Sequence, residues 1–260
     1  MRALNSSIDL PAFFRRVKEE SQRALLLDYD GTLAPFQIDR DKAFPYPEVR
    51  ETLERLVGIA GLRVVIISGR WIKDLKPLLQ LKKQPEIWGS HGLERLRTDG
   101  SYEIASMDES VLGGLVAADE WVETVGLAKH SERKPGCIAI HWRGLDQRKK
   151  DEIRTRIEPE WSLIAKAWSL VLKEFDGGIE LRAGVVNKGD AVKTVLGEMD
   201  RGIAAAYFGD DSTDEDAFVA IKGKGIGFFV REELKPTDAD VWIKPPQELL
   251  QVLHKWLPDD

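Results

Sequence analysis

The sequence predicts an α/β fold, a doubly wound parallel sheet with an inserted α+β domain, and three observations predict it. Short apolar runs without alternation recur on both flanks of the chain, at residues 24–27, 64–67, 86–88, 204–208 and 225–230. The first four each give way to a loop rich in Asp, Ser or Gly, and helical stretches separate the runs. Between about residues 107 and 183 the runs stop, and apolar positions alternate with polar ones instead. Continuous runs mark strands buried on both faces, and their repetition with loops and helices implies parallel pairing through right-handed crossovers. Alternation marks an antiparallel sheet with one packed and one open face.

In chain order, residues 9–22 read as a first helix, with Asp9 placed to cap it and Pro11 tolerated in its first turn. The run 24–27 then ends in Asp28-Tyr29-Asp30-Gly31-Thr32, and residues 48–60 form a second helix. The run 64–67 ends in Ser68-Gly69-Arg70, and 86–88 ends in Gly89-Ser90-His91. In the insert, residues 137–143 place Ile138, Ile140 and Trp142 on one face and Ala139, His141 and Arg143 on the other. Residues 179–182 repeat the pattern, with Glu180 and Arg182 opposite Ile179 and Leu181. A helix over 188–198 and the run 204–208, ending in Gly209-Asp210-Asp211, return the chain to the first pattern. The reading gives a core of residues 1–106 and 184–260 and an insert of 107–183.

Composition narrows the function. Lys and Arg number 38 against 44 Asp and Glu in 260 residues, a net charge of −6 with the acids dispersed. That speaks against a nucleic-acid binder, which grips phosphates with clustered cations. At 43% hydrophobic and 32% charged residues the chain has the composition of a soluble globular protein. The single cysteine, Cys137, fits a reducing compartment and, inside its strand, reads as a small buried side chain. The first residues lack a secretory apolar stretch, and no apolar run approaches the roughly 20 residues of a membrane span. A cytoplasmic protein without membrane contact is the expectation.

In doubly wound sheets the ligand lies beyond the carboxyl ends of the strands, where the polar loops emerge. Asp28 and Asp30, two positions apart after a buried strand, form a carboxylate pair that is costly without a cation. The run from Asp210 to Asp216 supplies a second acidic cluster in the same setting. Two such clusters on one sheet suit a shared hard cation, with Mg²⁺ matching sparse carboxylate and carbonyl ligation. Ser68 with the amides after it, and Lys188, suit a phosphate. Singly, each feature is also what an ordinary turn or helix cap looks like; the order in which they follow one another is informative.

The segments 27–35 (LDYDGTLAP), 68–70 (SGR), 89–94 (GSHGLE), 134–135 (KP), 141–143 (HWR), 180–182 (ELR), 187–189 (NKG) and 209–218 (GDDSTDEDAF) together resemble the trehalose-6-phosphate phosphatases. These belong to the haloacid-dehalogenase-like superfamily, whose Rossmann-like core carries an inserted cap. The resemblance implies Asp28 as the nucleophile that forms an acyl phosphate, Asp30 as acid and base, and Ser68 and Lys188 as stabilisers of the transferring phosphoryl group. It implies Mg²⁺ held by Asp28, the carbonyl of Asp30 and Asp210, with Asp211 counted in the metal set and, like Asp214, a candidate for orienting the ligands from outside. Arg70, His91 and Glu94 match core positions near the substrate. In the cap, Lys134 and Glu180 match readers of the distal glucose, with His141, Arg143 and Arg182 on the same polar face. Alternation alone does not separate a sugar-reading surface from a solvated face carrying salt bridges.

Two positions depart from the family pattern. Ala183 replaces a proline after Glu-X-Arg, and Trp142 stands where tyrosine is common. Both fall in the cap, so phosphatases of glucosylglycerol, glucosylglycerate or sucrose phosphate remain alternatives. A non-catalytic regulatory partner of a sugar-phosphate synthase fits less well, because Asp28, Asp30, Ser68, Lys188, Asp210 and Asp211 are all present. A small sugar phosphate is the expected partner and a monomer the expected state, with association with a trehalose-6-phosphate synthase left open.

Overall fold

The structure is a computed structural model and describes residues 1–175, 177–200 and 202–258. The chain divides into two compact units, one of Met1–Glu103 with Asn187–Asp260 and the other of Ile104–Val186.

The elements run β1 (Arg2–Ala3), α1 (Leu10–Glu19), β2 (Arg23–Leu27), α2 (Pro47–Leu56), β3 (Leu62–Ile67), α3 (Ile72–Leu79), β4 (Glu86–Gly89), β5 (Glu94–Leu96) and β6 (Tyr102–Ile104). Then follow α4 (Glu109–Thr124), β7 (Ser131–Lys134), β8 (Cys137–His141), α5 (Gln147–Trp168), β9 (Leu170–Phe175) and β10 (Gly178–Ala183). The chain closes with α6 (Lys188–Gly197), β11 (Ala204–Gly209), α7 (Glu215–Ile221), β12 (Ile226–Val230), β13 (Val241–Ile243) and α8 (Gln247–His254).

The first unit is built on one sheet ordered β1-β13-β12-β11-β2-β3-β4-β5-β6. From β13 to β4 every neighbouring pair is parallel, while β1 and β5 pair antiparallel. Alternate residues of the central strands enter opposite cores. Leu25, Leu27, Val64, Ile66 and Phe208 pack with α1, α2, α3 and α8, whereas Leu26, Val65, Ile67 and Tyr207 pack with α6 and α7. Burial on both faces is why these strands read as unbroken apolar runs.

The helices end earlier than the sequence suggests. The first stops at Glu19 because the chain must reverse into β2, and Glu20 is already extended. There Gly61, at φ +76°, comes so close that a Cβ would stand 2.0 Å from the Ser21 carbonyl oxygen. The second ends at Leu56, ahead of Gly58 and Gly61.

The second unit carries the antiparallel sheet β7-β8-β10-β9, with α4 and α5 against one face. Ile138, Ile140, Trp142, Ile179 and Leu181 share that packed face with Val122, Ile157 and Trp161. The opposite face corrects the expectation of an open surface: Glu180 is 1% and Arg182 7% exposed. Glu180 there has oppositely charged neighbours, Lys134 Nζ at 3.6 Å and Arg182 Nε at 3.8 Å. Trp142 points into the packed core, and its ring carries the Arg154 guanidinium at 5.3 Å. The departure from tyrosine there is therefore a matter of packing on the face away from the polar residues. Among the described residues no helix is long and apolar enough to cross a membrane.

Candidate active site

The loops that leave the carboxyl ends of β2, β3, β4 and β11 hold eight of the residues singled out in the sequence, with Lys188 at the start of α6. Asp28 follows β2, and its N–H donates to the Phe208 carbonyl at 2.8 Å, so it still lies in the sheet. The next residues turn sharply: Gly31 takes φ +83° and donates to the Ala34 carbonyl at 2.8 Å. A Cβ at Gly31 would sit 2.2 Å from Asp210 Oδ2, which is why this turn needs glycine.

Lys188 is the first residue of α6, whose start is fixed by the Asn187–Asp190 capping box. Its buried ammonium donates to Asp28 Oδ1 and to Asp214 Oδ1, each at 2.7 Å. Asp214 Oδ1 also accepts from the Tyr207 hydroxyl, and Oδ2 accepts from the N–H groups of Asp210 and Asp211 at 3.1 Å each. Four donors leave Asp214 little free capacity; its part is to fix Lys188 and the loop. Asp28 differs, since Oδ2 is buried without a hydrogen-bond partner.

Carboxylate oxygens of Asp28, Asp210 and Asp214 lie within 4.8 Å of one another, all three residues buried. Burial pushes Asp28 up to about 8, opposed by the adjacent Lys188 ammonium. Burial, with Asp28 and Asp214 nearby, also holds Asp210 well above the usual carboxylate range. For Lys188, burial acts to lower the pKa, but Asp214 and Asp28 outweigh it and raise it. Three buried acids against Lys188 and the partly buried Arg231 leave the cluster net negative, and with an unpartnered oxygen on Asp28 it fits a hard divalent cation. Asp211 stands outside the trio. Its carboxylate accepts from the Ser212 N–H at 2.5 Å and caps the turn Ser212–Asp214.

Asp30 is gripped by Arg70 through a two-bond fork, Nε to Oδ2 and Nη2 to Oδ1, both 2.7 Å. Ser68, buried after β3, accepts the Arg70 N–H on Oγ at 3.1 Å, which shapes the loop that brings Arg70 round. His91 is buried in a left-handed conformation, φ +60°, and its N–H donates to the Ser68 carbonyl at 3.0 Å. A Cβ at Gly69 would stand 2.4 Å from the His91 ring. Glu94 is fully buried and accepts from Ser90 Oγ at 2.6 Å and the Tyr102 hydroxyl at 2.9 Å.

The remaining expected residues lie together in the second unit. Glu180 is 3.6 Å from Lys134 Nζ, 3.8 Å from Arg182 Nε and 3.6 Å from Cys137 Sγ. Burial pushes the Cys137 thiol up to about 12, so it is no nucleophile at neutral pH. His141 Nε2 meets Glu132 Oε2 at 2.6 Å. Arg143 packs along Gly177, where a Cβ would stand 2.8 Å from the guanidinium.

Sequence reasoning passed over Tyr207, Arg231 and Glu132. A tyrosine in an otherwise apolar buried strand does signal a partner for its hydroxyl. Arg231 follows the strand β12 as Asp28 and Asp210 follow theirs, but it opens the charged stretch Arg231-Glu232-Glu233, which reads like an ordinary solvated turn.

The sequence profile of the family described as trehalose-phosphatase matches residues 26–240. The chain belongs to the trehalose-phosphatase family. That makes it a phosphoric monoester hydrolase. Among its relatives, the probable trehalose-phosphate phosphatase C of Arabidopsis thaliana is 28% identical over 280 residues, covering 96% of this chain and 82% of the relative. The C-terminal domain of the C. albicans trehalose-6-phosphate phosphatase superposes with a TM-score of 0.81 at 23% identity, over 98% of this chain and 99% of that one. The C-terminal domain of a Candida albicans trehalose synthase regulatory protein gives a TM-score of 0.73 at 13% identity, over 94% and 97% of the chains. At such identities the superpositions establish the fold alone, which is shared by a haloacid dehalogenase-like hydrolase from Bacteroides thetaiotaomicron with a TM-score of 0.63 at 16% identity, over 90% of this chain and 99% of that one.

Proposed function

We propose that this trehalose-phosphatase family member hydrolyses trehalose 6-phosphate to trehalose and phosphate, as a step of trehalose biosynthesis, with Asp28 as a covalent nucleophile. The observation that carries the reading is the state of the Asp28 carboxylate, one oxygen held by Lys188 and the other buried without a partner. A buried carboxylate oxygen that holds no part of the fold is available to phosphorus or to the cation.

In the first step Asp28 attacks phosphorus, the bond to the sugar oxygen breaks, and Asp30 supplies the proton that the departing oxygen takes up. In the second, Asp30 accepts a proton from the water that attacks the acyl phosphate, and Asp28 is released with inorganic phosphate. Arg70 holds each Asp30 oxygen by one bond, which orients the carboxyl group and leaves each oxygen a second lone pair for the proton it exchanges. Lys188 by its charge, and Ser68 by hydrogen bonding, stabilise the transferring phosphoryl group. The family's Mg²⁺ would be held by Asp28, Asp210 and the carbonyl of Asp30, and would neutralise phosphate oxygens that otherwise repel the nucleophile. Arg70, His91 and Glu94 act on the substrate from the core, and Lys134, His141, Arg143, Glu180 and Arg182 read the sugar. The intact acidic and lysine set agrees with the hydrolase activity that the family membership gives.

Glu180→Ala separates reading the sugar from breaking the ester. Loss of a charged acceptor for sugar hydroxyls should lower kcat/KM for trehalose 6-phosphate by about tenfold to a hundredfold. An aryl phosphate has no second sugar, so its slow hydrolysis should persist. Parallel kinetics on the two substrates decide the matter. Equal losses would make Glu180 a support of the catalytic groups, and no loss on either would remove it from the site.

A further inference from the structure

Arg231, directly after β12, belongs to none of the groups assigned above to phosphate, sugar or proton transfer. Its backbone is pinned on both sides: the N–H donates to the Ile243 carbonyl at 3.0 Å, and the carbonyl accepts from Trp242 Nε1 at 2.7 Å. From that base Nη1 reaches the Asp210 carbonyl oxygen at 3.1 Å and Asp210 Oδ2 at 3.2 Å. The Arg231 side chain is 17% exposed and that of Asp210 3%. One guanidinium thus ties the main chain and the side chain of a single aspartate together, which restrains rotation of the carboxylate. Gly31 leaves room at the same oxygen, since any Cβ there would collide with it.

We propose that Arg231 is a positioning residue for the divalent cation: it holds Oδ2 of Asp210 and thereby presents the carboxylate to the metal beside Asp28. The inference rests on the reading of Asp28 and Asp210 as metal ligands. Partners that orient a ligating carboxylate contribute strongly to metal affinity even though they never touch the ion. A positive charge close to a cation also repels it, so the sign of the effect discriminates between the two roles.

The test is calorimetric titration of Mg²⁺ into the metal-free full-length protein, comparing wild type, Arg231→Met, Arg231→Lys and Asp210→Asn, with thermal melts of each metal-free form. Arg231→Met should weaken Mg²⁺ binding by about tenfold to a hundredfold. Arg231→Lys, which keeps a donor and the charge but on a flexible stem without the planar guanidinium, should fall between it and wild type. A purely structural residue would lower the melting temperature of the metal-free protein and leave the Mg²⁺ affinity where it was, which would overturn the proposal. Binding by Arg231→Met that is tighter than wild type would also overturn it, marking Arg231 as a counter-ion that competes with the metal. Should the methionine variant not fold, the lysine variant decides on the same criterion. Wild-type affinity in Asp210→Asn, or no Mg²⁺ uptake by the wild type, would refute the metal site itself, and the role of Arg231 with it.

Discussion

Asp28→Asn should abolish turnover on every phosphomonoester, lowering phosphate release by at least about a thousandfold. The amide has nearly the same shape, and its oxygen can still accept from Lys188, so the fold should persist. What the proposed mechanism loses is its nucleophile, since the carboxamide cannot form the acyl phosphate. Acid-quenched wild-type protein should carry a phosphoryl group during turnover, and the variant none. Steady-state phosphate release together with mass spectrometry of the quenched protein checks both points. A variant that kept a tenth of the activity would rule out covalent catalysis by Asp28.

Lys188→Met should be costly twice over, in stability and in turnover. The ammonium lies between Asp28 and Asp214, 2.7 Å from an oxygen of each, and all three groups are buried. Removing one partner of a buried charge cluster leaves the others uncompensated, a loss of about 3–5 kcal/mol. For a chain of this size that corresponds to a fall in Tm on the order of 10 °C. Turnover should drop by about a hundredfold to a thousandfold, because the proposed mechanism loses its fixed charge beside the nucleophile. Thermal melts and kcat on one preparation measure the two effects. A variant melting like the wild type would mean that the acids do not depend on Lys188 for their charge balance.

Much of the core and its acids is visible in the sequence, for a physical reason. Strands buried on both faces must be continuously apolar, so Asp28, Ser68 and Asp210 stand out as the first polar residues after such runs. Elements that lack that contrast are hidden. β1, β5, β6 and β13 are two or three residues long at or near the sheet edges, and α3 contains Pro77, which interrupts a helical pattern. The polar face of the insert is legible as alternation, but alternation reports which residues share a face and not how charges close over it. Hence Glu180 reads as open in the sequence and is buried among Lys134, Arg182 and Cys137. The saturation of Asp214 and the grip of Arg231 on Asp210 join residues from different strands, which no local pattern encodes.

The central claim is tested most directly by phosphate release from purified protein offered trehalose 6-phosphate, sucrose phosphate, glucosylglycerol phosphate, glucosylglycerate phosphate and an aryl phosphate, each with Mg²⁺ and with chelator. The expected result is a kcat/KM for trehalose 6-phosphate at least about tenfold above every other substrate, a margin that one charged contact to the sugar can supply, and loss of all activity under chelation. Preference for another glycosyl phosphate, or hydrolysis that persists in chelator, would contradict the account.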